Sequence, residues 1–250
     1  MKISIITATY NREKTVGEVC ESMAAQTYSD LEWVVIDGGS KDATLEVLKQ
    51  GQRQPDVLVS EPDKGIYDAL NKGLKLASGE VIGLLHSDDF YPTEDVLEEV
   101  AKAFEDPSVD AVYGDLDYVS SENTDKIVRH WVSGEYDREN FRKGWMPPHP
   151  AFYMRRKYYE QLGGFHLKYK IAADYDSMVR YLWKHQLRAV YLPKVLMKMR
   201  TGGASNRSLK NILQKSQEDY QVMRENGLGL STLLRKNLSK IPQFFKRRAS

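Results

Sequence analysis

Cysteine is nearly absent: the 250 residues contain one, Cys20. A lone thiol builds neither a disulfide framework nor a cysteine-based zinc site, and it fits a reducing compartment. Charge is close to balance, with a formal net value of +1, so no general attraction to nucleic acid is expected. No apolar run approaches the length of a membrane span. No segment is repeated or compositionally simple. The first apolar stretch, Lys2-Ile3-Ser4-Ile5-Ile6, reads as a strand and not as a secretory leader. What remains is ordinary for a folded protein, 41% hydrophobic and 28% charged, and is enough for one large domain or one domain with an appendage.

The first half alternates strand and helix patterns, the signature of an α/β fold with a mostly parallel sheet covered by helices. Strands are expected at Lys2–Ala8, Leu31–Ile36, Val57–Ser60 and from Val81. Helices are expected over about Thr15–Ala25, from near Thr44, over Ile66–Ala77 and over Glu94–Phe104. The four strands end in polar loops: Thr7-Ala8-Thr9-Tyr10-Asn11-Arg12, Asp37-Gly38-Gly39-Ser40-Lys41-Asp42, Glu61-Pro62-Asp63-Lys64-Gly65 and Ser87-Asp88-Asp89. In a parallel sheet such loops gather on one edge, where ligands bind. Any one of them alone is explained as a connection with helix-capping residues. Together they bring carboxylates, a lysine and backbone N–H groups beside one crevice, the layout of a nucleotide-diphosphate site. Two carboxylates closing an apolar strand suit Mg²⁺ or Mn²⁺; a solvated Asp-Asp turn is the alternative.

These motifs, in this order and continued after Gly65 by Ile66-Tyr67-Asp68-Ala69-Leu70-Asn71-Lys72-Gly73, resemble those of the family 2 glycosyltransferases of the GT-A fold. The resemblance covers residues 1 to about 115 closely and extends more loosely to about 205. It implies a GT-A, Rossmann-like mixed and mostly parallel sheet flanked by helices. The nucleotide-binding half would run to about residue 115 and the acceptor-side half over about 116–205. By the same resemblance, Thr7, Ala8, Tyr10 and Asn11 hold the nucleoside base together with Asp37 and Gly38, and Asp63 and Lys64 border the nucleotide. Asp88 is implied near the ribose and donor sugar, Asp115 of Gly114-Asp115 facing that sugar, and Asp89 as the ligand of Mn²⁺ or Mg²⁺. The metal motif reads Ser-Asp-Asp in place of Asp-x-Asp, a variant common in the family.

Further strands are expected at Ala111–Tyr113, around Ile127–Trp131, at Ala151–Met154, at Arg188–Tyr191 and at Leu196–Met199. His149 sits in the proline-set loop Met146-Pro147-Pro148-His149-Pro150, as a metal or phosphate contact or as a hydrogen-bonded structural histidine. Ala172-Ala173-Asp174-Tyr175-Asp176 opens a helix, where Asp caps or complements the dipole. The resemblance makes Asp174 the catalytic base; Ala173 stands where relatives carry glutamate. Asp176, two residues on, points elsewhere and is expected to orient the loop or the acceptor. Arg200-Thr201-Gly202-Gly203-Ala204-Ser205 suits a mobile loop over a diphosphate. Relatives carry a metal-binding His in this region; this chain has none after His185, leaving Arg200 or solvent to compensate.

Residues 206–250 are expected to form a helical appendage with a basic amphipathic tail. A helix over Leu209–Asn226 is broken by Gly227 and Gly229. Leu233, Leu234, Leu238, Ile241, Phe244 and Phe245 then alternate with Arg235, Lys236, Lys240, Lys246, Arg247 and Arg248, without an acidic residue. That pattern suits an interfacial helix on an anionic membrane; a tail packed on the domain, or on a sister subunit of a homo-oligomer, is the alternative. The resulting expectation is an inverting, metal-dependent glycosyltransferase. It would move a sugar from a nucleotide sugar, a UDP-sugar above all, to a hydroxyl of a saccharide or lipid-linked acceptor. Its expected setting is bacterial polysaccharide assembly, in the cytoplasm and peripheral on the inner face of the cell membrane. The alternative is a non-catalytic sugar-nucleotide-binding subunit, which Ala173 and the missing histidine leave open.

Overall fold

A computed structural model describes residues 1–202 and 209–238. Its first four strands, β1 (Ile3–Thr9), β2 (Leu31–Asp37), β3 (Val57–Ser60) and β4 (Val81–Leu84), are parallel in the order β3-β2-β1-β4. β1 and β2 are buried along their whole length, because helices cover both faces; hence their near-continuous apolar runs. The connecting helices α1 (Val16–Ala24), α2 (Thr44–Gln50) and α3 (Ile66–Leu76) turn apolar stripes to the sheet. α1 buries Val16, Val19, Cys20 and Met23, and α3 buries Ala69, Leu70 and Gly73. A Cβ at Gly73 would lie 2.4 Å from Ile6 Cγ2, so only glycine lets α3 ride this close to β1.

The sheet then becomes mixed. It is completed by β5 (Asp89–Phe90), β6 (Ala111–Val119), β7 (Ile127–Trp131), β8 (Phe152–Arg155) and β9 (Ala189–Arg200), with α4 (Val96–Ala103) and α5 (Arg156–Leu162) outside it. β8 lies antiparallel between β4 and β6, and β7 is a hairpin partner of β6. β9 runs parallel to β6 and antiparallel to β5. The strands expected at 188–191 and 196–199 are one: β9 stays paired with β6 while its register slips around Asp115. Pro193, which has no N–H to donate, falls in that irregular stretch, where proline is tolerated. β6 is likewise longer than expected, so Gly114 and Asp115 lie inside it and not after it. α6 (Ala173–Met178) continues into a π-helical turn over Val179–Lys184.

Helices α7 (Leu209–Glu225) and α8 (Leu230–Leu238) join the same core. Val222, Met223 and Leu228 are buried in one cluster with Tyr175 and Leu182, and Trp183 donates its indole N–H to the Asn226 carbonyl at 2.9 Å. This corrects the tail reading at two positions. Lys236 is not a surface cation: its Nζ lies 2.9 Å from the Asp219 carboxylate and 3.2 Å from the centre of the Tyr175 ring. Leu233 also packs against the core, whereas Leu230 and Leu234 are exposed. Leu238 has no described side chain, and Lys240, Ile241, Phe244, Phe245, Lys246, Arg247 and Arg248 lie outside the described residues. Among the described residues no helix is long and apolar enough to cross a membrane.

At the amino end of the strands, Glu32 is buried beneath a set of donors. It accepts from Lys2 Nζ at 3.0 Å, from Ser78 N at 2.8 Å, from Ser78 Oγ at 2.6 Å and from the Ser4 hydroxyl. Burial alone would raise its carboxyl, but these hydrogen bonds prevail and lower it to about 2. A carboxyl held lower in the folded than in the unfolded chain contributes stability above its ordinary value and loses it as pH falls. Wild type is therefore expected to lose stability between about pH 4.5 and 2, and Glu32→Gln to flatten that limb in denaturant titrations run across the window. For the buried Lys236–Asp219 pair, Lys236→Ala strands a carboxylate and is expected to cost about 3–5 kcal/mol of unfolding free energy. Adding Asp219→Asn is expected to recover part of that loss.

Candidate active site

The first two loops hold each other. Asn11 adopts the left-handed conformation, φ 51°. Its Oδ1 accepts from Lys41 N at 2.9 Å and its own N–H donates to Ser40 Oγ at 2.7 Å. Arg12 N donates to Thr44 Oγ1 at 2.7 Å. Asp37, fully buried below them, accepts from Gly39 N at 3.1 Å, Ser40 N at 2.9 Å, Ser60 Oγ at 2.6 Å and the Ser40 hydroxyl. Both its oxygens are thus engaged in shaping the loop. Gly38 has no room for a side chain, since a Cβ would stand 2.6 Å from Asp63 Oδ2. Asp63 accepts from Gly65 N at 2.7 Å, and Lys64 donates its backbone N–H to Asp68 at 3.0 Å while its side chain stays exposed.

Thr7 and Ala8 are buried strand residues. Thr7 Oγ1 accepts the Trp33 indole N–H at 2.9 Å, so these two underpin the crevice, whereas Tyr10 is exposed at its rim. A cavity of about 320 Å³ opens beside the loops, lined among others by Asn11, Arg12, Lys14, Asp42, Asp88 and Arg200. Arg200 straps its floor: Nη1 donates to the Asp88 carbonyl at 2.7 Å and Nη2 pairs with Glu18 of α1. Asp89, on β5, is 1% exposed, and neither carboxylate oxygen has a hydrogen-bond partner among the described residues. Burial, then the neighbouring Asp88 charge, pushes its carboxyl well above the usual range, against the weaker pull of the Arg200 backbone N–H and guanidinium. Two orphaned buried oxygens fit a hard cation. Among the described residues no group of three His, Cys, Asp or Glu surrounds such a point.

The second carboxylate centre lies at the start of α6. Asp174 Oδ2 is 3.2 Å from His149 Nδ1, and Oδ1 accepts from Tyr175 N at 2.8 Å and lies 3.4 Å from the Tyr67 hydroxyl. Behind it, His149 Nε2 meets His86 Nε2 at 3.1 Å. With Nδ1–H of a neutral His149 donated to Asp174, Nε2 is an acceptor, so His86 carries its hydrogen on Nε2. His86 Nδ1, buried without a partner, is then a bare lone pair and not a stranded N–H. Burial holds His86 down to about 3, in keeping with a neutral ring. For Asp174 burial opposes ionisation, but the hydrogen bond from His149, with Lys215 and the Tyr175 N–H nearby, outweighs it and holds the carboxyl well below the usual range. The side chain is 21% exposed, so the ionised carboxylate is partly open to solvent.

Two further expected residues have partners of their own. Asp115 Oδ1 accepts from Ser133 N and from the Tyr191 hydroxyl, both at 2.8 Å, which ties β6 to β9. Asp176 is buried, 2.8 Å from Arg180 Nε and 2.9 Å from His166 Nδ1. Arg180 in turn donates to the carbonyls of Leu162 and Gly164, so of the two roles expected for Asp176 the geometry displays loop orientation. His86 and Tyr67 were not singled out from sequence. The signal for His86 was available, a polar ring closing the apolar run ahead of Ser87-Asp88-Asp89.

The chain belongs to glycosyl transferase family 2, whose family model matches residues 4–163; it is a glycosyltransferase. It is 33% identical over 211 residues, 81% of this chain and 78% of the relative, to the PGL/p-HBAD biosynthesis glycosyltransferase of Mycobacterium bovis. An uncharacterized glycosyltransferase of Mycobacterium tuberculosis is 30% identical over 183 residues, 71% of this chain and 68% of that one. Among solved structures, residues 1–349 of S. aureus TarS with UDP-GlcNAc superpose with TM-score 0.69 at 21% identity, covering 90% of this chain and 65% of that one. The chain spans 39% of the longer TarS chain. The mannosyltransferase PcManGT of Pyrobaculum calidifontis, with GDP-Man and Mn²⁺, gives TM-score 0.63 at 20% identity, covering 99% of this chain and 76% of that one. These likenesses establish the GT-A fold.

An uncompensated buried carboxylate is a stability liability. Without added metal at pH 7, Asp89→Asn is expected to be more stable than wild type, since the amide carries no charge to bury. Because the folded-state value of Asp89 is raised, wild type gains stability as pH falls and its carboxyl takes up a proton. The gap between the two proteins should therefore close toward acid pH in parallel denaturation curves.

Proposed function

We propose that the protein transfers a sugar from a UDP-sugar to a hydroxyl of a saccharide or lipid-linked acceptor, with inversion at the anomeric carbon. The observation that carries this reading is the pairing of two unlike carboxylates around His86. One, Asp89, is buried and lacks a partner; the other, Asp174, is kept ionised by His149 and reachable. Asp89 would hold Mn²⁺ or Mg²⁺, with the other ligand positions left to diphosphate oxygens and water. Bound there, the ion would supply positive charge for the departing diphosphate. Support for a metal comes from the orphaned oxygens and from the Mn²⁺ in the PcManGT complex.

The chain's own groups do the rest. The interlocked Asn11, Ser40 and Asp37 loops form a rigid bed for the nucleoside, with Tyr10 and Lys64 exposed beside it. The TarS complexes with UDP and UDP-GlcNAc favour uridine as the base, while the same fold in PcManGT holds GDP-Man. On the acceptor side Asp174 takes the proton of the attacking hydroxyl as the new bond forms. His149 Nδ1–H stays on the imidazole and steadies the carboxylate before and after. The imidazole is not itself the base, because its second nitrogen faces His86 and not the solvent. One base and one displacement give inversion. A peripheral position on an anionic cytoplasmic membrane surface would rest on the exposed Leu230, Leu234 and Arg235 and on the basic sequence 239–250.

Melting shifts with UDP-glucose, UDP-galactose and UDP-GlcNAc in the presence of Mn²⁺ identify the donor, since a bound ligand raises the apparent stability. Asp174→Asn is expected to lower turnover by about 10²–10⁴ while leaving the UDP–Mn²⁺ melting shift intact. Asp89→Asn is expected to abolish that shift. An Asp174→Asn protein with wild-type turnover rules out the assigned base.

A further inference from the structure

We propose that α7 is a working part of the catalytic site, with Glu218 the positioning residue that sets Asp174. This rests on Asp174 being the base. The peptides that lead into α6 converge on one carboxylate: Lys170 N donates to Glu218 Oε1 at 3.2 Å, and Ile171 N and Ala172 N donate to Oε2 at 2.8 and 2.9 Å. Glu218 is 9% exposed and is itself held by Gln214 Nε2 at 2.9 Å. Three successive N–H groups aimed at one point form an anion-binding concavity, filled here by a side chain from α7.

The Ile171 peptide is gripped from both sides. Its N–H goes to Glu218, and its carbonyl accepts from the Tyr67 hydroxyl at 2.8 Å; that hydroxyl lies 3.4 Å from Asp174 Oδ1. Moving Glu218 therefore moves Ile171, Tyr67 and the start of α6 together. Misplacing a catalytic group by about 1 Å costs on the order of 10²-fold in rate. α7 has a second anchor that serves as a control. Glu225 accepts from Lys168 Nζ at 2.6 Å and from the Tyr169 hydroxyl at 3.0 Å, reaching side chains and not the peptides at the base. A helix that merely docks would treat the two glutamates alike.

The test compares Glu218→Gln and Glu225→Gln in the full chain. UDP release is measured from whichever of UDP-glucose, UDP-galactose and UDP-GlcNAc wild type turns over, alongside melting temperature and the UDP–Mn²⁺ melting shift. Glu218→Gln is expected to lower kcat by about 10–10²-fold with the donor KM and the melting shift unchanged. Glu225→Gln is expected to lower the melting temperature while keeping kcat within about twofold. If Glu218→Gln does not fold, Glu218→Asp, which keeps the charge but shortens its reach, is expected to show the same split. The proposal is overturned if the Glu218 variant keeps kcat within about twofold of wild type, or if both variants lose kcat equally. Failure of the underlying reading looks different: either wild type releases UDP from none of the three donors or Asp174→Asn stays fully active, and the proposal falls with it.

Discussion

The hydrogen bond between His149 Nδ1 and Asp174 Oδ2 joins a proline-set loop to the first turn of a helix, and the ionised state of Asp174 depends on it. A carboxylate in a partly closed crevice tends to take up a proton and lose its use as a base. The imidazole removes that tendency, at the cost of making the carboxylate a weaker base than one left alone. Constant readiness is thereby favoured over intrinsic strength. His86 closes the arrangement by occupying the second nitrogen of His149.

The donor side obeys a different rule. There the backbone conformation is fixed by Asn11 bonding to the neighbouring loop and by Asp37 bonding to its own loop and to Ser60, and the Asp89 oxygens have no hydrogen-bond partner among the described residues. A crevice organised in this way needs little rearrangement to receive a diphosphate. The strain it carries is concentrated in one buried charge.

Much of the donor half was legible because a sheet covered on both faces leaves apolar runs punctuated by polar loops, and the carboxylates at those breaks are visible as types. What the types do not reveal is direction. Asp37, Thr7 and Ala8 stand at the expected places, but their side chains serve the loop or the core. The strands at 188–191 and 196–199 read as two because the tolerance of β9 for a slipped register is a property of its neighbour β6. Lys236 reads as a surface cation because an interfacial helix and a docked helix with one buried ion pair share the same alternation. Glu218 was invisible, since the N–H groups it accepts from are set by a loop distant in sequence.

β9 has a consequence for the order in which the chain can become itself. The parallel strands β1 to β4 are joined by short crossovers and can assemble from local segments as they are made. The Asp89–Phe90 strand cannot; its partners Met199 and Lys198 arrive about 110 residues later. During synthesis, the interlocked loops at the ends of these strands can therefore exist while Asp89 is still unplaced. A ribosome-bound fragment ending before β9 would hold the parallel strands with the Asp88–Asp89 loop still unpaired.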